Sequence, residues 1–476
     1  MAHARMTFLN QDEMDLIHAR SIQVLEDIGI KVHSESVLKL LREKGADVDF
    51  DAMIAKIPEK MVEKALALAP RSFKLCARDS KHDLILPAHS CPYATTSGLA
   101  VFITDYETGE YRKSIRRDIA EFSRLCDALS PDFLWTAMTA SDVPALAHGP
   151  HEIWETLKNT VKHVQGVTVQ SAADAKVQIE LAALIAGGRK ALKKRPLISV
   201  ISCPIAPLVF EKGSIEAQVE FAKAGIPICS MSMSMGGLSA PVTVAGMIMT
   251  ANAENMASLV ITQAAAPGAP HIYTSESAPM DMLSGSINYG APEKALVSFG
   301  LGQMARSYGL PCLVSDMGFG GDIKGGLENV QILINQIVGM TAHTDIITGM
   351  GYTDDAKGIS FEQLVIDSYM WDLFRNFKKE IDVTEEKIGF DALKNIGPGG
   401  DFLTSDHTLK YLRSDLTIWN QAKTNLLNMD NAGMAKEANR IARQIIKDHQ
   451  VPSLDGTVIQ RGDEIIRAYE KAVAIS

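Results

Sequence analysis

A chain of 476 residues is long enough for a barrel of ordinary size with additions, or for two or three domains. Hydrophobic residues at 46% and charged residues at 22% are the balance of a soluble globular protein, with no long uncharged apolar run of the kind that spans a membrane. A net charge of -10 disfavours general nucleic-acid binding. The six cysteines are scattered with no C-x-x-C pair, which excludes a disulfide framework and a zinc knuckle and predicts buried thiols. Met1 to Phe8 holds no apolar stretch of signal-peptide length, so the chain is expected in the cytoplasm.

In chain order, Asn10 and Glu13 form a capping-box pattern before a helix that closes at Gly29. Further helices are expected from Ser34 to Gly45 and from Pro58 to Ala69, then a hairpin or cap from Phe73 to Leu86. Residues 1–90 thus read as a helical preface. From Tyr93 onward short β-rich runs alternate with longer helical ones, the pattern of a parallel sheet flanked by helices. The runs are Tyr93 to Ser97, Phe133 to Thr139, His163 to Val169, Leu197 to Ser202, Ile226 to Met233, His271 to Ser275, Cys312 to Asp316 and Ile346 to Gly351. Eight such units over about 250 residues are the scale of a (βα)8 TIM barrel, assigned to residues 91–355. An open doubly wound sheet would carry a G-x-G-x-x-G turn after its first strand, and the Ser97-Gly98 turn has none. Residues 356–476 read as a helical extension packed on the barrel.

The fifth run ends in a repeat of Ser230, Ser232 and Ser234 with Met231, Met233 and Met235, followed by Gly236 and Gly237 as a turn at the catalytic end. Ser239, Ala240 and Pro241 then read as the N-cap and first turn of a helix. Alternation leaves open whether hydroxyls or thioethers face the barrel interior. The loop Gly318 to Gly326, with Phe319, Gly320 and Gly321, reads as a mobile lid or a phosphate loop. The loop Gly397 to Thr408 reads as a cap over the barrel mouth or a plain turn before a helix. Residues near strand ends include hydroxyls, thioethers, aromatics and two carboxylates. No H-E-x-x-H, no G-x-S-x-G and no Schiff-base lysine at a strand end is present, and neither His343 with Asp345 nor His148 with His151 has a third ligand at metal spacing.

Five segments in order carry a family resemblance: V-H-S-E after the first helix, Tyr93 to Glu110, Ser234 to Gly246, Tyr289 to Glu293, and P-G-G-D-F-L-T-S-D-H-T. Together they resemble the trimethylamine methyltransferase superfamily over most of the chain. The resemblance implies a TIM barrel that moves a methyl group from a methylated amine to the Co(I) corrinoid (cobalamin) of a partner protein, and a homo-oligomer. The family archetype carries pyrrolysine, whereas this chain has ordinary residues only, so it resembles the branch that demethylates quaternary amines such as glycine betaine, proline betaine or carnitine. A quaternary ammonium has no N–H to donate, so it is held by aromatic faces, carboxylates and polarizable groups. Its leaving group is a neutral amine, and no acid or base is required; no catalytic residue or metal ligand is assigned. The expected substrate residues are Tyr93, Trp135, Tyr273 and Tyr352 as aromatics, Glu276 and Asp316 as carboxylates, and His343 and His407 for the carboxylate of a betaine. No D-x-H-x-x-G signature occurs, so the corrinoid arrives on its own carrier. The rival readings are a phosphate-binding barrel enzyme using the Gly318 loop and a non-catalytic betaine-binding protein.

Overall fold

The computed structural model describes residues 6–89, 91–96, 98–316, 334, 337–338, 341–354, 356–377, 382–412, 426 and 429–474. Its centre is eight parallel strands: β1 (Tyr93–Thr96), β2 (Leu134–Trp135), β3 (Val164–Gly166), β4 (Ile198–Ser202), β5 (Ile228–Ser232), β6 (His271–Ser275), β7 (Cys312–Asp316) and β8 (Ile346–Met350). Each pairs with the next, β8 returns to β1, and a parallel bridge from Thr95 to Phe133 joins β1 to the start of β2 and closes the ring. The eight runs read from the sequence are these eight strands.

The N-terminal layer begins with α1 (Gln11–Gln23), where Asn10 Oδ1 accepts from the Glu13 N–H at 3.0 Å and Glu13 Oε2 accepts from the Asn10 N–H at 2.8 Å. After α2 (Glu35–Lys44) and α3 (Glu59–Leu68), a hairpin of Phe73–Leu75 and Leu84–Leu86 enters the barrel from below. Leu75, Leu84 and Leu86 pack there with Phe133, Ile272, Leu313 and Ile346. The preface is not purely helical. Ile30–Val32, Asp47–Asp49 and Ile54–Lys56 form a small sheet, and Ile30–Val32 also pairs with Val209–Phe210 from the loop after β4. Three-residue strands are too short to show a period of two in sequence.

Around the ring lie α4 (Arg116–Ala128), α5 (His148–Lys158), α6 (Ala172–Ala186), α7 (Arg189–Lys194), α8 (Lys212–Ala224), α9 (Val244–Ala265) and α10 (Pro292–Tyr308). Between β7 and β8, where the alternating pattern calls for a helix, residues 327–340 lie outside the described residues save 334 and 337–338. α9 is long and apolar enough to cross a membrane, yet most of it is buried against α1, α3, α10 and β5. The C-terminal part comprises α11 (Phe361–Phe377), the short α12 (Glu385–Ile388), α13 (Phe390–Ile396) and α14 (Asp406–Tyr411), then α15 (Asn431–Asp448) and α16 (Gly456–Val473). α15 packs on α11 and α4, and α16 on α5 and α6. Trp154 fixes the α16 contact: its indole N–H donates to Asp463 at 2.8 Å, and its ring lies where a Cβ on Gly462 would be, 2.1 Å away.

In a ring of this shear each strand is staggered by about one residue against its neighbour, so alternate strands contribute to each interior layer. The register places Phe133, Ser199, Ile272 and Ile346 in the lowest layer, Thr95, Gln165, Cys229 and Leu313 above them, and Trp135, Ile201, Thr274 and Thr348 third. Cys229 Sγ and Thr274 Oγ1 meet at 2.9 Å between the second and third layers. The interior is therefore filled through these three layers.

Behind β3, Glu152 of α5 is fully buried and neither carboxylate oxygen has a well-aligned hydrogen bond among the described residues. Burial pushes its pKa up to about 8, Thr168 opposes this in part, and Asp174 adds to it. The folded chain thus binds this proton more tightly than the unfolded chain, whose glutamates titrate near about 4.3, so this group's contribution to stability falls as pH rises from the unfolded value through 8. Glu152→Gln is expected to flatten that slope and to raise the melting temperature by several degrees at pH 8.5 but less at pH 6. Melting curves of the two proteins that run parallel from pH 6 to 9 would show that Glu152 does not titrate there.

Candidate active site

The C-terminal ends of the strands open on the face away from the hairpin plug, and β5 decides what kind of wall this opening has. Cys229 and Met231 belong to the interior cluster, and Met233 stands 37% exposed above them. The serines face outward: Ser232 Oγ is hydrogen-bonded to Glu254 on α9, and Ser234 Oγ lies 3.3 Å from Ser232 Oγ. The thioether face lines the interior, because buried Glu254 takes the hydroxyls on the other side. The chain then turns through Gly236, in a two-residue strand Met235–Gly236 that pairs with Ala278–Pro279, and Gly237 at φ +94°. Ser239 does not cap a helix; it accepts from the Met235 N–H at 2.8 Å, and Thr243 caps α9.

Beside this wall three ionisable side chains are buried together. Glu276 follows β6, Asp316 ends β7, and Lys294 sits in the first turn of α10 behind Pro292. Lys294 Nζ donates to Glu276 Oε2 at 2.9 Å and lies 3.3 Å from Asp316 Oδ2. Burial pushes the Glu276 pKa up to about 7, with Lys294 opposing and Asp316 adding. Burial also works against the Lys294 ammonium, but the two carboxylates outweigh it and hold its pKa above the ordinary value. With both acids ionised the group carries one uncompensated negative charge; when Glu276 is protonated, its carboxyl hydrogen-bonds to Asp316. Glu276 also faces the interior, since its charge is felt by the Cys229 thiol.

Of the residues expected from sequence, the structure brings Trp135, Tyr352, Glu276 and Asp316 to this end of the barrel. Trp135 belongs to the third interior layer, 4% exposed, and its indole N–H has no acceptor among the described residues. The others lie elsewhere. Tyr93 begins β1 and so sits at the bottom, where the Ile85 N–H donates to its hydroxyl at 3.4 Å. His343 precedes β8 at the same closed end, its carbonyl accepting from Cys312 Sγ at 3.1 Å. Tyr273 has the parity of Ser275, opposite to Thr274, and points outward to donate to Asn252 Oδ1 at 3.0 Å. Tyr352, past the end of β8, is at the open end, where its hydroxyl accepts from the Ala100 N–H at 3.2 Å and donates to Ala137 O at 3.1 Å. His407 packs on Tyr411, with ring centroids 4.9 Å apart, and beside Gly389. Ser97 and the Gly318 to Gly326 loop, including Phe319, Gly320 and Gly321, lie outside the described residues.

Sequence reading missed Lys294 because it screened strand ends, and Lys294 is on a helix. A signal was present: a lysine in the first turn of a helix opposes the helix dipole and calls for carboxylates nearby. The loops around the opening carry a second feature. Leu99, Leu146, Ile205, Leu238, Val242 and Leu283, from the connections after β1, β2, β4, β5 and β6, are 40–99% exposed. Met282 and Val242 meet over Gly237, whose Cβ position lies 3.3 Å from Met282 Sδ and 3.6 Å from Val242 Cγ2. Among the described residues no group of three His, Cys, Asp or Glu side chains is placed to hold a metal.

The model of the trimethylamine methyltransferase family matches residues 2–471. A trimethylamine methyltransferase MttB from Desulfitobacterium hafniense is 31% identical over 85% of this chain and 82% of its own. A glycine betaine methyltransferase from the same species is 27% identical over 97% and 98%. Among solved structures, the monomethylamine methyltransferase of Methanosarcina barkeri superimposes with a TM-score of 0.52 over 94% of this chain and 89% of its own, at 11% identity. A barrel whose open end holds buried acids under an apolar rim is thus the scaffold of a methyltransferase, and the chain belongs to the trimethylamine methyltransferase family.

Proposed function

We propose that this protein transfers a methyl group from a quaternary amine, glycine betaine first and proline betaine or carnitine as alternatives, to the Co(I) corrinoid of a separate carrier protein. The observation that carries this reading is the charge at the ends of β6 and β7: two buried carboxylates against one ammonium, in a barrel whose interior also holds the Trp135 indole and the Met231 thioether. Such a site prefers a cation that needs no hydrogen bond. The relative that is a glycine betaine methyltransferase matches over nearly the whole chain, in keeping with such a donor.

The corrinoid supplies the nucleophile: the methyl carbon leaves nitrogen for cobalt, and the C–N electron pair stays on the amine. The chain's own residues do the rest. Glu276, when ionised, and Asp316 oppose the positive charge of the ammonium, while Lys294 holds the two carboxylates apart and in place. Trp135, Met231 and Met233 replace water around the methyl groups, so that charge is neutralised in the transition state without reorganising solvent. The apolar rim is the surface on which the carrier docks, and it brings the corrinoid over the opening.

The decisive assay supplies reduced cobalamin with glycine betaine, proline betaine, carnitine and trimethylamine in turn. Methylcobalamin is expected with at least one quaternary amine and not with trimethylamine; none with any quaternary amine, from folded protein, overturns the proposal. Trp135→Ala is expected to raise KM about tenfold, as loss of a desolvated cation–π contact of about 1–2 kcal/mol implies. Because burial holds Glu276 protonated below about pH 7 and a cation favours its ionised form, kcat/KM should climb as pH rises through 7. Glu276→Gln should lower that plateau and remove the climb, and a profile unchanged by the substitution takes Glu276 out of the site. Leu283→Asp, on the rim, is expected to slow turnover with the carrier protein several-fold while leaving the rate with free cobalamin unchanged.

A further inference from the structure

At the end of the barrel opposite the opening, the loops that lead into the strands frame a cleft of about 480 Å³. One wall is the plug hairpin, which contributes Phe73 and Lys74; the other is the end of α7, which contributes Lys193, Lys194 and Arg195. A second cleft of about 280 Å³ shares Lys193 and continues past Arg189 and Lys190. This concentration of cations sits on a chain whose net charge is -10. Arg195 is forked onto Asp83, at 2.8 and 2.9 Å, whereas Lys74, Lys193 and Lys194 hold no ion pair among the described residues.

Lysines in the last turn of a helix complement its dipole, and that accounts for Lys193 and Lys194 alone. It does not account for Lys74, which a separate element brings to the facing wall. Nor does it account for the course of Lys193, whose stem lies flat over Gly225: a Cβ there would stand 2.9 Å from Lys193 Cγ, and Gly225 has φ +77°. A long side chain laid on backbone in this way keeps its ammonium in one region and loses less freedom when a ligand arrives.

We propose that this cleft binds a small polyanion, a phosphorylated molecule carrying three or more negative charges. Cations meet across a concave floor of small residues and backbone, and the volume lies in the range of small-molecule sites, about 300–1,000 Å³. The half-buried ring of Phe73 at the edge offers a flat face to a base or other ring attached to the phosphates. The site is at the far end of the barrel from Trp135 and Glu276, so it is filled independently of the methyl-transfer pocket and stands whether or not the donor there is a quaternary amine.

Calorimetric titration of the whole protein tests this, with inorganic tripolyphosphate and with adenosine diphosphate as probes, at low salt and with about 150 mM sodium chloride. Saturable binding of tripolyphosphate is expected, weakened by salt and at least tenfold weaker in the double variant Lys193→Glu, Lys194→Glu. Lys74→Glu, on the opposite wall, should weaken it as well, and methyl transfer should be unchanged in both variants. Binding of adenosine diphosphate in addition assigns the Phe73 edge to the base, while binding of tripolyphosphate alone confines the site to the phosphate chain. No saturable heat with either probe at low salt overturns the proposal, as does binding that survives both variants.

Discussion

Closing eight parallel strands into one ring fixes which side chains enter the barrel, and the rest of the molecule follows from that choice. Once Phe133 and Ile346 face inward, the alternation of each strand and the stagger between strands commit Cys229, Met231 and Thr274 to the interior and Ser232, Tyr273 and Ser275 to the helices. The hairpin from residues 73–86 fills the lower end and three layers of side chains fill the middle. Glu276 and Asp316 come together because β6 and β7 are neighbours that end at the same height.

The sequence reveals the strands themselves because each is a short β-rich run set between longer helical ones, and that alternation survives without knowledge of tertiary contacts. It reveals less about which residues act. Tyr93 and His343 lie close in sequence to barrel strands but at their starting ends, and chain direction alone puts them at the closed face. Tyr273 fails by parity, one residue from an interior position. The Ser/Met repeat of β5 is symmetric as a pattern; only the presence of Glu254 on α9, twenty-two residues beyond Ser232, gives the hydroxyls an outward partner.

The buried acid and lysine group deserves a structural reading before a functional one. Three ionisable groups in a dry site cost several kcal/mol each in lost hydration, and a paired set only offsets that cost when its charges balance and its hydrogen bonds are complete. With both acids ionised the charges do not balance; with Glu276 protonated they do, and its carboxyl then hydrogen-bonds to Asp316. Lys294 still stands at the unfavourable end of its helix for the dipole. Under the proposed function the second carboxylate is the charge offered to a cation, and protonation of Glu276 restores the balance when none is bound.

The two ends of the barrel then attract by different physics. Around the opening the loops expose Leu99, Leu146, Leu238, Val242 and Leu283 among polar groups such as Asp142 and Ser284, so contact there gains from area removed from water and in part from charge. Beneath that rim the attraction is electrostatic, but it acts in a site from which water is largely excluded, where screening is weak. The proposed carrier, which would arrive and leave in each turnover, is served by modest apolar contacts on loops. At the far end the lysines stand in solvent, where attraction depends on ionic strength. The donor, carrier and polyanion proposed for these faces are therefore expected to respond differently to salt, with the polyanion at the exposed lysines affected most.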